Sequence, residues 1–100
     1  MASLLYRYIQ QVQGVRSGHP IIEGTRIGVH DVVGLVLSGA GIDDVTRSLP
    51  PVTRAQVYEC LAYYEDHKEA MDLLIARQFA DDQERAAGTA TPTLPDYSER

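Results

Sequence analysis

The chain is poorest in cysteine, in long apolar runs and in positive charge. A single Cys60 stands among 100 residues, which excludes a disulfide framework and a cysteine-based zinc motif; between apolar helical positions it reads as a buried thiol in a chain suited to a reducing compartment. No apolar run approaches the roughly 18 to 20 residues that span a bilayer, so no membrane association is expected. Met1-Ala2-Ser3-Leu4-Leu5-Tyr6-Arg7 lacks the basic region and long apolar stretch of a signal peptide, so a cytoplasmic location is expected. Nine Lys and Arg stand against 14 Asp and Glu, a net charge of −5, the wrong sign for a strong non-specific nucleic-acid binder.

The deficit is uneven. Met1 to Val57 carries five Arg against four acids, a balance of +1, whereas Tyr58 to Arg100 carries four bases against ten acids, a balance of −6. Any duplex contact belongs to the first half, and the acidic second half suits a basic protein partner. No repeat or low-complexity tract is present. His19, His30 and His67 are too scattered for a recognisable metal-ligand spacing, and no nucleophile or carboxylate pair accompanies Tyr63-Tyr64 and His67. No catalytic residue, metal or cofactor is therefore assigned, and an enzyme is not expected.

What the chain does have is 44% hydrophobic residues in ordered patterns, enough for one modest core. Residues 1–17 read as an extended segment, which either completes a sheet or pairs as a strand across a dimer through Tyr6 and Tyr8. Residues 18–87 read as the core and 88–100 as a mobile tail. Ile21-Ile22 and Ile27-Gly28-Val29 flank Glu23-Gly24-Thr25-Arg26, which predicts a hairpin with Gly24 at positive φ. His30-Asp31 offers an N-cap to a helix over 31–38, apolar nearly all round and closed by Ser38-Gly39-Ala40-Gly41. A second helix over 42–48 buries Ile42, Val45 and Leu49, and Pro50-Pro51 ends it. Thr53 and Gln56 form a capping box for a long third helix, with Val57, Cys60, Leu61 and Tyr64 on one face and Ala55, Glu59, Ala62 and Asp66 facing outward. On the same wheel Lys68 lands among Met71, Ile75 and Phe79; either the helix breaks at 65–69 or it leaves the core. The fold class is mainly α (α+β): a small N-terminal β-hairpin or sheet, then a tri-helical, helix-turn-helix-like bundle.

His19-Pro20, Gly24-Thr25-Arg26-Ile27 with Val29, Gly39 with Ile42 and Val45, Leu49-Pro50, Thr53 with Gln56-Val57, Ala62-Tyr63-Tyr64, and His67 with Glu69 form an ordered set that resembles the domain-of-unknown-function family 433. Its members resemble antitoxins of bacterial toxin–antitoxin pairs. Pro51, crowding the inter-helix turn, departs from the pattern. The resemblance implies an antitoxin-like protein that binds and neutralises a PIN-like ribonuclease and represses its own promoter. A helix-turn-helix would offer Thr53, Arg54 and Gln56 to the operator DNA, with Arg47 on the backbone; in the alternatives the chain is a stand-alone regulator, or the unit is only a scaffold for interaction. The apolar stripe Met71, Leu74, Ile75 and Phe79, and the tail residues Leu94 and Tyr97, are the expected surfaces for the partner or for a homodimer.

Overall fold

The computed structural model describes residues 6–90. The chain enters as strand β1 (Ile9–Gln10), turns through a short 3-10 segment at Arg16–Gly18 and returns as β2 (Ile21–Ile22). The two strands are antiparallel, with Ile9 opposite Ile22 and Gln10 opposite Ile21. Four helices follow: α1 (Val29–Leu37), α2 (Ile42–Ser48), α3 (Arg54–Asp66) and α4 (Lys68–Ala90). The protein is mainly helical with a small N-terminal sheet, the class that its patterning predicts. Among the described residues no helix is long and apolar enough to cross a membrane.

The sheet is assembled differently from the expected hairpin. Gly24 does take φ +75°, and Thr25 closes the turn by donating its hydroxyl to the Ile22 carbonyl at 2.8 Å. Ile27 and Gly28, however, contribute only one backbone hydrogen bond to Ile22 and one isolated bridge to Ile21. The ladder runs instead to β1, so the N-terminal segment pairs within its own chain. A two-residue ladder is too short to be stable alone. It is held because Ile9, Ile21 and Ile22 are buried and because the Glu59 carboxylate on α3 accepts the backbone N–H groups of Arg7 and Tyr8.

Helix α1 starts two residues earlier than predicted. Gly28, rather than His30-Asp31, is its N-cap; the Asp31 carboxylate reaches back one turn and accepts the Gly28 N–H at 3.0 Å. Val29 and His30 are thereby drawn into the first turn and buried with Val32 and Val33. The helix is less central than its composition suggests, since Leu37 is 55% exposed. Asp44 serves α2 in the same way, accepting the Gly41 N–H at 3.0 Å. Helix α2 ends at Leu49, with only Val45 fully buried. The capping box of α3 is complete: Thr53 Oγ1 accepts the Gln56 N–H at 3.2 Å and Gln56 Oε1 accepts the Thr53 N–H at 2.9 Å.

The long third helix is two helices. His67 leaves the helical region at φ −130°, ψ 42°, and the chain resumes as α4. A continuous helix would turn Lys68 toward the core; the break leaves Lys68 exposed while Met71 returns to 2% exposure. Tyr64 spans the junction, donating its hydroxyl to Asp72 at 2.7 Å. Helix α1 packs on both α3 and α4, and α2 packs on α3. Residues 88–90, expected in the tail, continue α4.

Candidate functional site

The α2–α3 unit brings the four residues assigned to DNA contact to one region but occupies each of them locally. Gln56 and the Thr53 hydroxyl are consumed by the capping box. Arg47 is ion-paired with Asp44 at 2.9 Å across one helical turn, and Arg54 is ion-paired with Asp43. Arg47 and Arg54 side chains are 73% and 55% exposed, so both pairs are open to water and to competition by another anion.

The residues assigned to a partner surface divide. Tyr6 is 7% exposed: its hydroxyl donates to Asp66 at 2.6 Å and its ring lies 4.9 Å from that of Tyr63. The Asp66 hydrogen bond, with burial adding to it, pushes the Tyr6 phenol up to about 12. Tyr8 is half-buried, and its carbonyl accepts the Glu23 N–H at 2.8 Å. Glu59 and Asp66, on the outward face of α3, are thus where the N-terminal segment is fastened. Met71 belongs to the intramolecular core, and Ile75 packs against it. Leu74 is half-buried, whereas Phe79 is 64% exposed. Leu94 and Tyr97 lie outside the described residues.

A cluster that pattern reading missed lies under the N-terminal segment. Arg16 and Ser17 both hold left-handed backbone, φ +50° and +57°, a conformation that costs non-glycine residues on the order of 1 to 3 kcal/mol. This bend aims the Arg16 guanidinium at the Asp31 carboxylate, 2.7 Å away, and at the Arg26 carbonyl and His30 Nε2, at 2.8 and 3.2 Å. Burial, the largest single influence, pushes the Asp31 carboxyl up, but the hydrogen bonds from Arg16 and the Gly28 N–H together with the charges of His30 and Arg16 hold it below its usual range. A guanidinium only donates, so His30 Nε2 must accept and the neutral ring carries its proton on Nδ1. Nδ1 is buried without a hydrogen-bond partner among the described residues. Burial is the main cause that pushes the His30 pKa down, with the neighbouring Arg16 and His19 acting in the same direction against Asp31. A local signal existed in Gly28 and Asp31, but Arg16 is 15 residues from Asp31 and nothing in a periodicity joins them. Among the described residues no group of three or more His, Cys, Asp or Glu is placed to hold a metal ion.

The cluster predicts a pH dependence. With the folded pKa of His30 below its unfolded value of about 6.5, the unfolded chain takes up a proton that the folded chain refuses. The stability associated with His30 is complete above about pH 6.5 and is lost as the pH falls through that value toward the folded pKa. Asp31 retains its contribution until the pH drops into the carboxylate range. Thermal unfolding between about pH 7.5 and 5.5 should show a falling Tm, and His30→Gln, which keeps an acceptor for Arg16, should remove most of the slope. An unchanged slope in His30→Gln would assign the loss to other groups.

Several clefts border α4, and three of them matter here. The first, of about 280 Å³, lies near the α3–α4 break between Pro20, Tyr63, Met71 and Leu74. The second, of about 230 Å³, lies beside the Arg16–His30 cluster. The third, of about 210 Å³, separates α4 from Gly34, Leu35 and Ser38 of α1 and is flanked by Phe79.

Comparison with known proteins places this architecture. No curated protein matches. The solved structure of a DUF433 member protein from Anabaena variabilis ATCC 29413 is similar, with 31% identity and a TM-score of 0.68 over 75% of this chain and 74% of that one. The family model described as "Protein of unknown function (DUF433)" matches residues 9–64, a span that begins at β1 and ends in α3 and so takes in both the Arg16–His30–Asp31 cluster and the α2–α3 unit. The chain belongs to the DUF433 family.

Proposed function

We propose that this protein is the antitoxin-like half of a bacterial toxin–antitoxin pair, a non-catalytic cytoplasmic chain that self-associates and neutralises a PIN-like ribonuclease by binding it through the outer part of α4. The observation that carries this reading is the division of α4: Met71 is 2% exposed, while two turns on Phe79 is 64% exposed in a stretch followed by Asp81, Asp82 and Glu84. An exposed aromatic anchor rimmed by acids suits a partner whose surface is basic, as a surface that handles RNA must be. Co-expression with the product of the neighbouring reading frame, followed by co-purification and an RNase assay, tests it. Phe79→Asp should weaken the complex by about 30-fold or more, the scale of a lost hot spot, without moving the thermal transition. Equal co-purification of wild type and Phe79→Asp would remove this face from the reading.

DNA contact through the α2–α3 unit is the second reading, favoured by the exposure of Arg47 and Arg54 in that unit. Asp43 and Asp44 stand beside them, so the complex with its partner, rather than the lone chain, is the species to present to a promoter fragment. Loss of a mobility shift in Arg54→Ala with the complex intact supports this role; an unchanged shift removes it.

A further inference from the structure

The first two clefts beside α4 adjoin. His19, Leu74 and Arg77 line both, so an apolar chamber and a polar recess meet at an arginine and a histidine. Tyr63 and His67 wall one end of the apolar chamber as a stacked pair, with ring centroids 4.1 Å apart and planes 20° from parallel. Pro20, Met71 and Leu74 supply the remaining apolar walls. Arg16 is spent on Asp31, the Arg26 carbonyl and His30. The Arg77 guanidinium, in contrast, has no hydrogen bond or ion pair among the described residues. An apolar cavity of a few hundred Å³ with a small number of convergent polar groups is the usual form of a small-molecule site.

We infer that the adjoining clefts bind a small amphiphilic anion. Its flat apolar body lies against Tyr63, Met71 and Leu74, and its carboxylate, sulfonate or phosphate head meets Arg77 and His19. The guanidinium supplies charge-assisted hydrogen bonds without giving up a hydrogen bond or ion pair to any described residue. Asp81 lines the polar recess and repels an anion placed deeper, which confines the head to the junction.

Two fluorescent probes separate the parts of this proposal. Anilinonaphthalene sulfonate carries the apolar body and an anionic head; N-phenylnaphthylamine carries the same body without the charge. With the full chain, both should bind saturably at one site. Arg77→Ala should weaken the sulfonate by about three- to tenfold, the range of a partly exposed charge-assisted contact, and leave the uncharged probe unchanged. Asp81→Asn should tighten the sulfonate. Ala70→Trp, which adds bulk to the lining of the apolar chamber from an exposed helix position, should weaken both probes, whereas Phe79→Asp should weaken neither. Far-ultraviolet circular dichroism confirms folding of each variant, and Arg77→Ala decides alone if the tryptophan variant unfolds. Absence of saturable binding, or an Arg77→Ala effect equal on the two probes, overturns the proposal.

Discussion

Gly28→Val is expected to destabilise the fold by about 3 kcal/mol, the upper part of the range for overfilling a packed site. The reason is space, not backbone freedom, since Gly28 has an ordinary φ of −77°. A Cβ at this position would stand 2.5 Å from His30 Cε1 and 2.6 Å from Nδ1. The ring has little room to retreat, because its side chain is 2% exposed and Arg16 holds Nε2 on the other side at 3.2 Å. Urea unfolding should show a lower midpoint with an unchanged m-value. A double-mutant cycle tests the cause: Gly28→Ala should cost less in a His30→Ala background than in the wild type, with a coupling of about 1 kcal/mol or more. Additive costs would show that the imidazole is not the obstruction.

Tyr6→Ala should cost about 3 to 4 kcal/mol, as expected for deleting a buried aromatic ring, and should loosen the sheet with it. Tyr6→Phe keeps the ring against Tyr63 and gives up only the hydrogen bond to Asp66, worth about 1 kcal/mol. The ratio of the two effects separates packing from polar fastening. Because these contacts are made within one chain, the loss in Tyr6→Ala should not depend on protein concentration. A loss that vanishes on raising the concentration would instead mean that Tyr6 is buried against a second copy.

Both predictions fall where linear patterns are weakest. Tyr6 and Tyr8 form an aromatic, apparently unpartnered segment in the sequence, and a strand seeking another molecule is a fair reading of it. Their partners are Asp66, Glu59 and Glu23, 60, 51 and 15 residues away, and a helical wheel places Glu59 and Asp66 on the face opposite the core. The residues before β1 are fastened to that face, where Glu59 is half-buried while Ala55, Ala62 and Asp66 stay exposed. The break after α3 acts on Lys68: a continuous wheel puts it on the core face beside Met71, and one non-helical residue, His67, resets the phase so that Lys68 is exposed while Met71 stays buried.

What the sequence determined by itself was local: the mainly helical class, the glycine turn at Gly24, the capping box at Thr53 and Gln56, the full span of α2, and the buried face of α3 through Val57, Cys60 and Tyr64. Each rests on interactions between residues a few positions apart, whose geometry a spacing encodes directly. The tertiary structure alone decided that β1 closes on β2, that α3 and α4 part at His67, and that a strained Arg16 reaches Asp31 and His30 above a glycine with no room for a methyl group. Those outcomes join segments whose separation along the chain carries no period, and they are chosen by which arrangement pairs partly buried charges and backbone groups while burying the apolar side chains.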